Sequence, residues 1–492
     1  MPVFKASGFF VPMRTTHIPV SPDWYTVILQ TYANREHGEV TKRSMTMGAI
    51  ARRITRVITA VVCVAVSVGV SVATLHVPTR EGGGERFNPA RYRSDVIADT
   101  VINHTTGVDK TQGTGTAGSP YDNKGYFPEA GYTPSDFHAP CSIWTYRDAE
   151  SVWNCQVSGL QDLDTSSPHV RDVLSDYFVK LLDYGVAGFR VDAVKHMPPE
   201  DVLAIKKLVA KKSGRSMNDI WWTQEVIGDN AEAAEIQPRN YLKTGQVNEF
   251  QYAYRLKSLF SNSLAGGSLS IKDIPQNITD SGKASVFVTN WDTERNNMTL
   301  TYKDGDAYRL ANAFMLAYPY GAPNVFSGYE FHDTDSGASG ATATSVPDID
   351  CSKDSGWSCT ERWPDVHGMV GWHNVAGDAP LSDWQDDGDN MIAFGRGGRA
   401  FIAINNSVRT RTVTYHTALP AGEYCDVYAS ADCSGSVHVR FDGDATLTVP
   451  AGSAVAFHIA ATPVYRETMI AIVCCFLQLF LNVFCLTCRK KF

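Results

Sequence analysis

Between Pro168 and Asp292 the chain repeats one pattern: an amphipathic stretch, then a short apolar run that stops at a polar residue. Val170, Val173, Leu174, Tyr177, Phe178, Leu181 and Leu182 recur at the i, i+3, i+4 spacing of a single helix face. Ser167 suits the N-cap, Pro168 the first helical position, and Gly185 the stop. Val186 to Val191 then reads as a buried strand ending at Asp192. The alternation continues with a helix over Asp201 to Ala210 and a strand over Ile220 to Thr223 before Glu225. Val247 to Phe250 reads as a further strand, and Ser285 to Val288 as another before Asn290, Trp291 and Asp292. Upstream, Asp95 to Ile102 is an apolar run ending at Asn103 and His104. Helices alternating with short buried strands mean parallel β/α units. Polar residues at strand C-termini lie where a (β/α) barrel keeps its active site.

The fold class expected is therefore α/β, a (β/α)8 TIM-type barrel over residues 94–383. The stretch from His104 to Pro168, about 60 residues rich in Gly, Thr, Ser and Asp, is too long for a βα loop and reads as an inserted subdomain over 105–167. After Trp384 the texture changes to short strands separated by Gly and Asp: Met391 to Phe394, Ala400 to Ile404, Val413 to His416, Ser436 to Phe441, Ala445 to Val449 and Ala454 to Ile459. This is an antiparallel β domain over 384–461.

The ends differ. Residues 1–93 form an atypical N-terminal region in which Val57 to Leu75 carries no charge and follows Arg52, Arg53 and Arg56, as a signal peptide or signal anchor would. Residues 462–492 form a hydrophobic tail in which Met469 to Thr487 has the length of a membrane span and precedes a basic end. A secreted protein, or one anchored with its globular part outside, is expected. Six of the 11 cysteines fall in close pairs, Cys141 with Cys155, Cys351 with Cys359 and Cys425 with Cys433, which suits an oxidising compartment. A net charge of −8 makes nucleic acid an unsuitable partner. A monomer is expected.

Asp192, Glu225 and Asp292, each at the end of an apolar run, are the inventory of a glycosidase: a nucleophile, a proton donor and a further negative charge beside a developing cation. Aromatic content of 11% suits a sugar site, although core packing accounts for most such residues. Arg190 precedes Asp192 by two positions and so points to the same side of its strand. The apolar neighbours Trp221, Trp222 and Val226 are candidates for raising the pKa of Glu225.

Five ordered motifs then carry a resemblance: Asp99 to His104, Gly159 to Asp164, Gly188 to His196, the segment at Glu225, and Phe287 to Asp292. Together with Arg362 to Pro364 and the run from Met391, they resemble the calcium-dependent alpha-amylases of the large alpha-glucan hydrolase family, over roughly Asp95 to Ala460. The resemblance implies retaining hydrolysis of internal α-1,4 bonds in starch or glycogen. It makes Asp192 the nucleophile, Glu225 the acid/base and Asp292 the transition-state stabiliser. His104, Arg190, Lys195 and His196 face the substrate, Arg190 also holding Asp192 charged. Calcium is bound by side-chain oxygens of Asn103 and Asp162 and backbone oxygens of Trp153 and His196. A transglycosylase shares every motif, and a membrane-tethered, catalytically impaired glucan-binding relative is the alternative from another class.

The chain departs from the family pattern in three places. Trp291 stands where the family has histidine, which removes a hydrogen-bond donor to the sugar. Asn324 stands where chloride-activated members carry a basic residue, which argues against chloride although Arg190 and Asn290 match two of its ligands. Thr74 to Arg93 does not supply the two β/α units that precede Asn103 in the family, so a barrel incomplete at its N-terminus is expected.

Overall fold

The computed structural model describes residues 96–463 apart from 108–111, 116–117, 262–277, 279, 343–344, 346–347 and 353–354. The two uncharged stretches at 57–75 and 469–487 lie outside the described residues. Among those described, no helix is long and apolar enough to cross a membrane.

Six short strands form one parallel sheet in chain order: β1 (Ile97–Thr100), β2 (Gly188–Val191), β3 (Trp221–Gln224), β4 (Gln246–Asn248), β5 (Ala284–Phe287) and β6 (Ala322–Asn324). Strands β2, β3 and β5 are nearly all buried, which explains why the runs that lead into them are mostly apolar rather than alternating. The barrel expectation holds in its truncated form. Among the described residues no strand pairs with the outer edges of β1 and β6.

Five helices follow these strands or their loops: α1 (Ala149–Asn154), α2 (Pro168–Asp183), α3 (Pro199–Ser213), α4 (Phe250–Ser261) and α5 (Asp306–Ala317). The apolar stripe of α2 buries Val170, Leu174, Phe178 and Leu182. Phe178 meets Phe189 of β2 at 4.7 Å and Trp222 of β3 at 4.9 Å between ring centroids. Ser167 occupies the N-cap without a side-chain cap bond, and Gly185 ends the helix at a φ of 96° that a Cβ would strain. Phe250, read as a strand end, starts α4 instead: with Tyr252, Ala253 and Leu256 it follows helical spacing.

The C-terminal region consists of two antiparallel four-stranded sheets. One contains Leu381–Asp386, Met391–Arg396, Ala400–Asn405 and Ser453–His458. The other contains Arg411–His416, Asp444–Val449, Ser436–Val439 and Gly422–Cys425. Leu381–Asp386 and Gly422–Cys425 escape sequence reading, the first because it is polar and half exposed, the second because it is short.

Helix α6 (Pro364–Ala376) joins this β region to the parallel sheet. Trp372 Nε1 donates to the carbonyls of Phe401 and Phe457 at 3.2 and 3.1 Å. Arg396, buried, donates to the carbonyls of Ala317, Gly377 and Ala379. At Gly368 an added Cβ would lie 1.7 Å from the Val427 carbonyl. Gly368→Ala is therefore expected to cost about 2–3 kcal/mol, read as a lower urea midpoint at unchanged slope. The three expected disulfides are formed, with Cα separations of 4.9, 5.8 and 4.8 Å.

Candidate active site

The C-terminal ends of β1, β2 and β3 bring four charged side chains together. Parallel register pairs Asp99 with Arg190 and Arg190 with Thr223. The backbone fixes the next residues: Asp192 N–H donates to the Thr100 carbonyl and Glu225 N–H to the Val191 carbonyl, each at 2.9 Å. Arg190 then spreads its guanidinium across three carboxyl groups. Nη1 donates to Asp99 at 3.0 Å and to Asp192 at 2.5 Å, and Nη2 reaches Glu225 at 3.1 Å. Charge-assisted bonds of this kind are the strong ones, and the rigid fork of arginine suits them. Ala193, held at a φ of 51°, donates its N–H to Glu225 at 2.9 Å.

Burial and neighbours push the carboxyls apart electrostatically. Desolvation raises the pKa of both Asp192 and Glu225, and Arg190 opposes this in each. The two carboxyls are hydrogen-bonded to each other, and that contact lowers Asp192 while raising Glu225. The charge of Asp192 raises Glu225 further, which suits Glu225 to hold a proton. Both carboxyls lie on the one guanidinium of Arg190, an arrangement that suits the close spacing of retaining glycosidases; inverting enzymes keep theirs about 6.5–9.5 Å apart to admit a water. Asp292 sits at the solvent-facing rim, where burial and then Glu225 raise its pKa while Arg190 lowers it. It is carried by a turn in which the Asn290 side-chain oxygen accepts from the N–H groups of Asp292 and Thr293.

The remaining expected residues surround this centre. His104 is desolvated, which lowers its pKa to about 4 although the charge of Glu225 opposes the shift. His196 is buried, neutral with a pKa near 4, and stands edge-on to Tyr146 at 5.9 Å. Lys195 is bound by Glu232 at 2.5 Å and lies over the Tyr146 ring. Asn324 spends its amide on Ser285 and on the Val286 and Ala322 carbonyls.

Trp222 does not act on Glu225. It faces α2, because residues three apart on a strand point to opposite faces. Sequence reasoning also passed over Asp99 as a site residue. Its signal was its position in the first motif, but only strand register shows that it flanks Arg190. Glu232 and His138, which partner Lys195 and Asp162, come from loops with no pattern of their own.

A second cluster lies beside the first. Asn103 is 1% exposed and its side-chain oxygen has no hydrogen-bond partner, while its amide donates to Asp162 at 3.2 Å. Asp162, equally buried, also meets His138 Nδ1 at 2.6 Å. An orphaned buried oxygen beside a buried carboxylate fits the chemistry of a hard cation.

Comparison with known proteins gives a consistent result. A model of the alpha-amylase catalytic domain matches residues 93–373, and one of the alpha-amylase C-terminal all-beta domain matches 382–460. An alpha-amylase of Streptomyces violaceus is 40% identical over 370 residues, covering 75% of this chain and 61% of that protein. One from Tenebrio molitor is 36% identical over 411 residues, covering 78% of this chain and 86% of its own length. The crystal structure of alpha-amylase I from Eisenia fetida superposes with a TM-score of 0.67 at 33% identity, over 74% of this chain and 80% of that one. A mutant of the same earthworm protein has been solved with maltohexaose.

Proposed function

The chain belongs to the alpha-amylase family, and from that premise we propose that it is a retaining endo-hydrolase of α-1,4-glucosidic bonds in starch- or glycogen-type glucans. The observation that carries this reading is the single arginine held against three carboxyls, Asp192 and Glu225 among them, at the C-terminal ends of neighbouring strands. Asp192 attacks the anomeric carbon as the bond to the glycosidic oxygen breaks, and Glu225 gives that oxygen its proton. A glycosyl ester on Asp192 results. Glu225, now a carboxylate, takes a proton from water, which attacks the same carbon and releases Asp192. Asp292 stabilises the positive charge that develops on the ring at both transition states. His104, Lys195 and His196 donate to sugar hydroxyls.

Calcium is the cofactor of this reading. Asn103 and Asp162 would supply side-chain oxygens to the ion and Trp153 and His196 backbone oxygens, and the bound ion would tie the inserted subdomain to the sheet. Secretion fits the three disulfides.

The test is expression of the full chain in a secreting host and an assay of reducing ends from soluble starch, with Asp192→Asn as control. Wild-type release well above the control is expected; equal release would remove the enzyme. Binding of glucan without turnover would instead support the second reading, a glucan-binding relative. A chelator is expected to lower the Tm by about 5–10 °C, the shift for an ion present at about a hundredfold its Kd. Asp162→Asn should abolish that chelator effect. A Tm indifferent to chelator in the wild type would dismiss the calcium site.

A further inference from the structure

The role of Trp291 rests on the hydrolase reading and extends it. Both terminal nitrogens of Arg190 are taken up by Asp99, Asp192 and Glu225. What remains is the flat face of the guanidinium, and there the Trp291 ring lies, 4.7 Å from Cζ to ring centroid. Phe326 backs the indole at 6.4 Å. Trp291 itself is 36% exposed, whereas the arginine side chain beside it is 12% exposed. The indole thus stands between the guanidinium and water.

Tryptophan is the strongest aromatic partner for a cation, and arginine stacks on it face to face. Covering that face lowers the local dielectric, which strengthens the pairing of Arg190 with each carboxyl. It also fixes the plane of the fork, on which the reach to three acceptors depends. We propose that Trp291 is a positioning residue: its indole caps Arg190 and holds the guanidinium against Asp192 and Glu225. By this route the chain compensates for the sugar-binding histidine that it lacks at this position.

The proposal has a sign. The groups facing this cluster are Asp99, Asp192, Glu225, Asp292, His104, Tyr254 and Arg295. Arg190 lowers the pKa of Asp192 and of Glu225. Loosening Arg190 therefore raises both. The acidic limb of the rate profile, set by Asp192 losing its proton, and the basic limb, set by Glu225 keeping its own, move together to higher pH.

The test uses the full chain with Trp291→Ala, Trp291→Phe and Trp291→His. Starch hydrolysis is followed across pH, and the Glu225 carboxyl is titrated by carbon NMR in glutamate-labelled protein, assigned with Glu225→Gln. Trp291→Ala should lower kcat about tenfold with KM nearly unchanged. Both limbs and the NMR titration should move up by about half a unit. Trp291→Phe, which keeps a ring over the guanidinium, should restore most of each. Unmoved limbs and an unmoved Glu225 titration in Trp291→Ala would overturn the proposal, as would rescue by His but not by Phe, since that pattern denotes a direct sugar contact. The NMR readout needs no turnover. An inactive wild type would therefore count against the hydrolase reading, while the Glu225 titration would still decide the role of Trp291.

Discussion

Asp192→Asn is expected to lower starch hydrolysis by about 10⁴-fold or more, because it removes the carboxylate proposed to form the glycosyl ester. Glu225→Gln should differ in kind. On starch, where the leaving alkoxide needs a proton, it should cost about 10²–10⁴-fold. On an α-maltoside whose leaving group is an acidic phenol, bond cleavage needs little proton donation, so the first step should survive and a burst of phenol should precede slow turnover. Asp192→Asn should give no burst on either substrate. The contrast follows from the roles proposed for the two groups, Glu225 as proton donor and Asp192 as nucleophile. Equal losses on both substrates for both variants would contradict that division of roles.

The second large effect is on stability. Arg190→Ala leaves Asp99, Asp192 and Glu225 without their common cation. Breaking such a pair by removing one partner leaves uncompensated charge, and about 3 kcal/mol is expected, the lower end of the range because Asp99 is 35% exposed. The loss has a definite pH dependence. Without Arg190 the folded pKa values of Asp192 and Glu225 rise further above their unfolded values. Stability then falls as pH climbs from the ordinary carboxylate range toward those raised values, since the unfolded chain has already released its protons. The deficit against wild type should be largest near neutrality and should shrink on acidification, as the carboxyls take up protons and no longer need a counterion. Denaturant titrations at pH 7 and pH 4 measure it; a deficit independent of pH would show that Arg190 contributes by packing alone.

The parts of this molecule legible in its sequence are those governed by local periodicity. Helix α2 could be placed because seven apolar residues recur on one face, and strands β2, β3 and β5 because each is buried on both sides and the run that leads into it is mostly apolar. Asp192, Glu225 and Asp292 stood out because they end such runs. Register was not legible, and the Arg190 cluster depends on it: Asp99 reaches Arg190 only because β1 and β2 pair residue for residue from Ile97 and Gly188. Loop-borne partners were equally hidden, since Glu232 meets Lys195 across a turn-rich segment with no repeating pattern. The assignment of Trp222 as a neighbour of Glu225 overlooked strand alternation, which turns it toward Phe178. The departure at Trp291 was visible as a missing donor. Its position over Arg190 required the turn at Asn290 that carries both Trp291 and Asp292.

The central claim is a double displacement through Asp192, and the anomeric configuration of freshly released product tests it most directly. Proton NMR during the first minutes of starch hydrolysis, before mutarotation, should show the α-anomer at the new reducing end. Predominance of the β-anomer would contradict the account, because it requires a water rather than Asp192 at the anomeric carbon.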